Sequence, residues 1–131
     1  MIIVLDASAA AEVVLNRTKA GALSELLAEA DSVIVPSLYI AEITNVFWKY
    51  YQHSDMPINE CEQYLNTALL IPDEVIEINE FAQETLTAAG MTGMTAYDMF
   101  YMVLARRYNA HLMTLDKKLK STAKKQGVRT L

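Results

Sequence analysis

Four short apolar runs, IIVL (2–5), SVIV (32–35), EVIEI (74–78) and HLMTL (111–115), alternate with longer stretches of helical periodicity. This alternation limits the fold more than any other feature. Apolar runs of four or five residues, rich in Val and Ile, read as buried strands. The intervening patterns predict helices over 8–15, 19–30, 37–51, 58–70, 80–89, 95–108 and 117–126. Pro57 stands where a helix can start. Gly90 and Gly93 mark a loop, and VRTL (128–131) reads as a short last strand. Short buried strands separated by helices argue for a sheet covered on both faces. The expected fold is α/β: a three-layer α/β/α sandwich with a mostly parallel sheet of four to five strands. No repeat or linker divides the 131 residues, so one domain over 1–131 is expected.

In a parallel sheet, ligand sites form outside the carboxyl ends of the strands. Asp6 directly follows the first run and Asp116 the fourth, so both carboxylates are expected at one edge. Asp98 lies in the first turn of the 95–108 helix. Its continuation, MFYMVLA, is so apolar that the helix must be buried, with its polar start facing a solvent-lined site. Glu42 lies early in the 37–51 helix, with Asn45 on the same face at i+3. Each acid also has an ordinary reading. Asp6 and Asp116 can cap helices, Thr95-x-x-Asp98 fits a capping box, and Glu42 can be a surface residue. Four acids arriving at one edge is what the ordinary readings leave unexplained.

Carboxylates gathered there repel, by about 4 kcal/mol for a pair ~4 Å apart at an effective dielectric of about 20. Protons or a hard cation must offset that. Oxygen donors without imidazole or thiolate select Mg2+ or Mn2+ over zinc. His53 and His111 are scattered and read as structural. Such sites serve phosphoryl chemistry. No Gly-rich nucleotide loop is present. Phosphatases with an aspartyl-phosphate intermediate expect a second Asp two residues after the first, where this chain has Ser8. Receiver domains expect paired acids at the first strand end, where Leu5–Asp6 offers one.

At these residues the sequence resembles the PIN-domain family, in its VapC-like toxin branch. The matching segments are IIVLDASAA, PSLYIAEITNVFWK, TAYDMFYMVLARR and LMTLDKKL, in family order across essentially the whole chain. The resemblance implies a Mg2+- or Mn2+-dependent endoribonuclease, the toxin of a toxin–antitoxin pair. Asp6, Glu42, Asp98 and Asp116 match its catalytic, metal-holding acids. Ser8 and Thr114 match the small hydroxyl positions beside the first and last acids, and Asn45 a polar position one turn after the glutamate. Met99 and Phe100 are bulkier than the small residues common there, which bears on groove shape. Two other readings stand beside it: a non-catalytic PIN-fold module that binds RNA or protein, and a phosphatase forming an aspartyl phosphate.

Charge is uneven. Residues 1–105 carry 3 basic and 15 acidic side chains, residues 106–131 carry 8 basic and 1 acidic. The basic end reads either as a solvated helix or as a margin for RNA, with Arg106, Arg107, Lys117 and Lys118 the expected contacts. The helices at 37–70 carry more large apolar residues than one small domain easily covers. Leu38, Ile43, Val46, Phe47, Trp48, Tyr50, Tyr51, Tyr64, Leu65, Leu69 and Leu70 are the set. Part of that surface is expected to be an interface. The resemblance points to a homodimer and to a cognate antitoxin lying across these helices, with an arginine reaching the acidic cleft. One cysteine, Cys61, and no apolar run near 18 residues or signal pattern lead to the expectation of a cytoplasmic protein with no membrane contact.

Overall fold

In the computed structural model, which describes residues 1–131, four strands form one sheet. They are β1 (Ile2–Leu5), β2 (Ser32–Pro36), β3 (Glu74–Ile76) and β4 (His111–Met113). Their order is β3-β2-β1-β4, and every pairing is parallel. Ile3 sits opposite Val33 on one side and His111 on the other. The buried aliphatics of β1 and β2, Ile3, Val4, Leu5, Val33, Ile34 and Val35, account for the strands being covered on both faces.

Seven helices connect them: α1 (Ala7–Val14), α2 (Ala20–Glu29), α3 (Leu38–His53), α4 (Ile58–Leu70), α5 (Ala82–Thr92), α6 (Ala96–Arg107) and α7 (Lys117–Lys125). The chain steps from β1 to β2 to β3 in one direction, then returns past β1 to β4. Right-handed crossovers put helices made in opposite directions on opposite faces. Accordingly α1 packs with α2, α3 and α4, while α5 packs with α6. The α6 helix lies across β1, β2 and β4, and Met99, Tyr101, Met102, Val103, Leu104 and Ala105 are all buried. That is the burial demanded by MFYMVLA.

Some boundaries differ from expectation for local reasons. The third strand stops at Ile76, because the chain turns into a 3-10 helix over Asn79–Phe81. The fourth stops at Met113, because the next backbone donors turn to side chains: Leu115 N–H donates to Ser8 Oγ and Asp116 N–H to Thr114 Oγ1. Gly90 is not in a loop. It lies inside α5, which continues to Thr92 and ends at Gly93, whose φ of 74° is the left-handed stop that favours glycine. The last strand, expected over 128–131, is reduced to one parallel bridge between Thr130 and Leu112. No helix is long and apolar enough to cross a membrane.

Candidate active site

The strand order reverses at β1, where β2 lies on one side and β4 on the other. A crevice opens at such a switch point, outside the carboxyl ends of the strands. Asp6 follows β1 and Asp116 comes three residues after β4, so both stand at that crevice. Both are also caps, so the ordinary and the functional readings coincide. Asp6 Oδ1 accepts from Ala9 N–H at 3.0 Å and from Ser8 Oγ at 2.7 Å. Asp116 Oδ1 accepts from the N–H groups of Lys118 and Leu119, at 2.9 and 3.0 Å. In each residue one oxygen makes the cap, and the cap fixes the direction of the other.

Asp98 is placed by the start of α6. Thr95 Oγ1 accepts from Asp98 N–H at 3.3 Å and donates to Asp98 Oδ2 at 3.2 Å. Because α6 crosses the sheet against the strand direction, its start lies at the carboxyl edge. Glu42 reaches the same edge from the second turn of α3, and Asn45 is exposed one turn further on.

The four acids stand near enough to feel one another's charge. The Asp116 charge bears on Asp6 and on Asp98, while the charges of Asp6 and Asp98 bear on Glu42. Asp6, Glu42 and Asp98 are all pushed above the ordinary carboxyl range. Burial is the largest cause in each, and the neighbouring carboxylates add to it. Hydroxyls work against the shift: Thr114 and Ser8 for Asp6, Thr95 for Asp98, and Tyr101 for Glu42. The Lys118 charge also favours ionised Asp98. Three carboxyls that resist losing their protons form a site that would gain from a cation.

All the donors at this edge are oxygens, which fits a hard divalent ion. No three His, Cys, Asp or Glu side chains stand close enough together to grip an ion unaided.

The expected site residues divide into two groups. Asp6, Ser8, Glu42, Asp98, Thr114, Asp116 and the Lys117/Lys118 start of α7 share one edge. Arg106 and Arg107 do not. They end α6, about 12 Å along the helix from Asp98, and both bind Glu84, at 2.7 and 2.6 Å. Sequence reasoning missed two buried phenols under the acids. Tyr101 and Tyr39 have their ionisation pushed up, first by burial; the Glu42 charge adds to this for Tyr101 and the Asp6 charge for both. The signal was available, since Tyr101 follows Asp98 by three residues and Tyr39 precedes Glu42 by three, the helical spacing that shares a face.

Residues 3–125 match the PIN domain family. A comparison with curated protein sequences finds no match. Among solved structures, PAE2754 from Pyrobaculum aerophilum is similar at a TM-score of 0.78 and 21% identity, over 99% of this chain and 92% of that one. VapBC2 from Rickettsia felis, solved bound to a DNA fragment from its promoter, is similar at 0.73 and 18%, over 100% and 98%. FitAcB from Neisseria gonorrhoeae follows at 0.56 and 13%, over 98% and 96%. At these identities the structures speak for the fold. The family rests on the match across most of the sequence: the chain belongs to the PIN domain family.

Proposed function

We propose that residues 1–131 form one nuclease domain that hydrolyses RNA phosphodiester bonds with Mg2+ or Mn2+, and that it is the toxin of a toxin–antitoxin pair. The observation that carries this reading is the placement of four acids, Asp6, Glu42, Asp98 and Asp116, at the switch point of a PIN-domain sheet. Asp6, Asp98 and Asp116 would hold the ion, directly or through water, and Glu42 would ligate it or orient the attacking water. When bound, the ion supplies charge stabilisation at the scissile phosphate and makes the attacking water easier to deprotonate. The chain's own part is positional. Ser8 and Thr114 fix Asp6, Thr95 fixes Asp98, and the α7 cap fixes Asp116. Glu42, with its raised affinity for a proton, is suited to accept one from the water. Lys117 and Lys118, at the α7 start beside the acids, are suited to meet RNA phosphates, and Asn45 stands one turn from Glu42 to meet a polar group of the substrate.

The partner reading rests on exposed apolar surface. Of the residues singled out over 37–70, Ile43 and Phe47 are core, whereas Trp48, Tyr51, Leu69 and Leu70 are exposed, Leu70 at 83%. We assign the part of it formed by Tyr51, Leu69 and Leu70 to a homodimer and an antitoxin segment, with a basic side chain of the antitoxin reaching the acidic edge. VapBC2 and FitAcB, to which the fold is similar, support a partner of that kind. An RNA substrate and a toxin role place the protein in the cytoplasm.

Incubation of the purified protein with mixed-sequence RNA tests the catalytic reading. Cleavage is expected with Mn2+ or Mg2+ and none with excess chelator or in Asp6→Asn. A wild-type protein that binds RNA without cutting it under any divalent ion is instead a non-catalytic module. Trapping of a phosphoenzyme on Asp6 would point to a phosphatase. Sedimentation at micromolar concentration tests the dimer, and a strict monomer refutes it.

A further inference from the structure

The first 105 residues carry only three basic side chains, Arg17, Lys19 and Lys49, among 15 acids. Arg17 and Lys49 are 32 positions apart in sequence, yet they line the same cleft of about 290 Å3, together with Tyr50, His53 and Ser54. Neither is in an ion pair, although acids outnumber bases five to one in this part of the chain.

Arg17 is held in place. The end of α1 closes in a Schellman turn: Asn16 takes the left-handed conformation at φ 52°, its N–H bonds Val13 C=O, and the Arg17 N–H bonds Glu12 C=O. The guanidinium then lies over the Tyr50 ring, 5.2 Å from its centre, and donates to the Tyr50 hydroxyl. Lys49 stands opposite, exposed and without a hydrogen-bond partner. Next to it, Trp48 is 52% exposed, with its ring edge-on to His53.

This cleft is connected to the acidic edge by α3 itself. Glu42, Asn45, Lys49 and His53 follow at i, i+3, i+7 and i+11, so they share one flank of the helix. At 1.5 Å per residue, Lys49 lies about 10 Å and His53 about 16 Å from Glu42 along the axis. For a strand stacked at roughly 3.4 Å of rise per nucleotide, that is about three to five nucleotides, and fewer if it is extended.

We propose that the cleft lined by Arg17, Lys49 and His53 is a second contact for the RNA strand, gripping its backbone a few nucleotides from the carboxylate edge while a base stacks on Trp48. The proposal rests on the ribonuclease reading and adds to it where the strand runs. Cations beside an exposed aromatic ring suit single-stranded nucleic acid. Continuity with the acidic edge favours RNA over an acidic peptide. A body this acidic also needs attraction placed at points along the strand, and the cleft holds two of its three basic side chains.

The test uses the full chain in an Asp6→Asn background, titrated with a fluorescein-labelled 12-nucleotide single-stranded RNA. Adding Lys49→Gln is expected to weaken binding about tenfold. It should also flatten the dependence of log affinity on log salt by about 0.7, one phosphate contact on a single strand. Adding Arg17→Gln should remove a second such contact, and Lys49→Arg should restore the slope. Since Lys49 has no partner within the protein, its variant reports on RNA even if Arg17→Gln disturbs Tyr50. An unchanged affinity and slope in Lys49→Gln, with an Asp6-intact protein that does cut RNA, overturns the second contact alone. An Asp6-intact protein that neither binds nor cuts RNA overturns the ribonuclease reading, and this proposal with it. Tighter binding of poly-glutamate than of RNA of equal charge overturns the proposal in favour of an acidic protein partner.

Discussion

Ser8 and Thr114, separated by 106 positions in sequence, meet hydroxyl to hydroxyl at 3.5 Å beneath Asp6. Ser8 Oγ donates to Asp6 and accepts from the Leu115 N–H, while Thr114 Oγ1 accepts from the Asp116 N–H. Two small side chains thus tie the end of β1 to the end of β4, and with them the carboxylates of Asp6 and Asp116.

Removal of one tie should be felt at both acids. Ser8→Ala leaves the half-buried Leu115 N–H without its partner, a loss of about 1 kcal/mol. It also frees the Asp6 carboxylate to turn. RNA cleavage is expected to fall about 10- to 100-fold, the usual effect of losing a group that orients a metal-holding side chain. Ser8→Thr keeps the hydroxyl and should retain more activity than Ser8→Ala. Equal activity in wild type and Ser8→Ala, measured by cleavage at saturating Mn2+, would show that Asp6 needs no such support.

Asp6 itself gives a pH prediction for the ion-free protein. Its folded-state pKa is raised, chiefly by burial, so the folded state holds a proton that the unfolded state has released. Stability in chelator therefore falls as pH rises from the unfolded value of 3.8 through the folded one, and the penalty is complete above both. Asp6→Asn removes the charge and keeps a capping oxygen. It should melt higher than wild type at pH 7.5, by about 3 °C for each kcal/mol of penalty relieved, and this advantage should shrink towards pH 4. His111, lowered by burial, and Glu84, lowered by its arginines, titrate alike in both proteins and cancel in the difference. A Tm difference that grows on acidification would contradict the burial argument.

The expected elements and the edge carrying the acids were legible because strand ends, caps and apolar runs are local signals. Asp6 and Asp116 directly follow apolar runs, and Thr95-x-x-Asp98 reads as a helix start in sequence as it does in the fold. What was not legible depends on three-dimensional neighbours. The spacing of three puts Tyr101 on the face of Asp98, but only the packing of α6 on the sheet shows that its hydroxyl lies under Glu42. Likewise, the charge count grouped Arg106 and Arg107 with Lys117 and Lys118, although α6 and α7 put the two pairs at opposite ends. The pairing of Arg17 with Lys49 across α1 and α3 is equally invisible in one dimension.

The Tyr101 hydroxyl is buried without a hydrogen-bond partner of good geometry, yet it lies close enough to Glu42 to favour its charged form. An unpaired hydroxyl in the core costs stability, about 1–3 kcal/mol by protein mutational data. Tyr101→Phe should therefore melt no lower than wild type in chelator, in contrast to most substitutions in a core. With Mn2+ the same variant should cleave RNA about tenfold more slowly, because Glu42 loses the dipole that favours its charged form and limits its motion. A variant that loses stability while keeping full kcat would make Tyr101 a packing residue only.

Arg106 and Arg107 supply the opposite expectation. Both are held by Glu84, and Arg107 also lies 5.0 Å over the Phe81 ring. The side chains are 40% and 46% exposed and Glu84 29%, so solvent screening reduces the worth of the cluster to about 1 kcal/mol or less. They end α6 at the edge of the sheet away from the acids, and Glu84 holds both and offsets one of their two charges. Arg106→Gln with Arg107→Gln should thus lower Tm slightly, by an amount that vanishes in about 1 M salt, where the screening length is about 3 Å. RNA cleavage rates and the salt dependence of RNA binding should stay at wild-type values, whereas Lys118→Gln, next to Asp98, should change both. A double Arg variant that loses RNA affinity with a flatter salt slope would mean that the strand also runs over the end of α6, releasing the arginines from Glu84 as it binds.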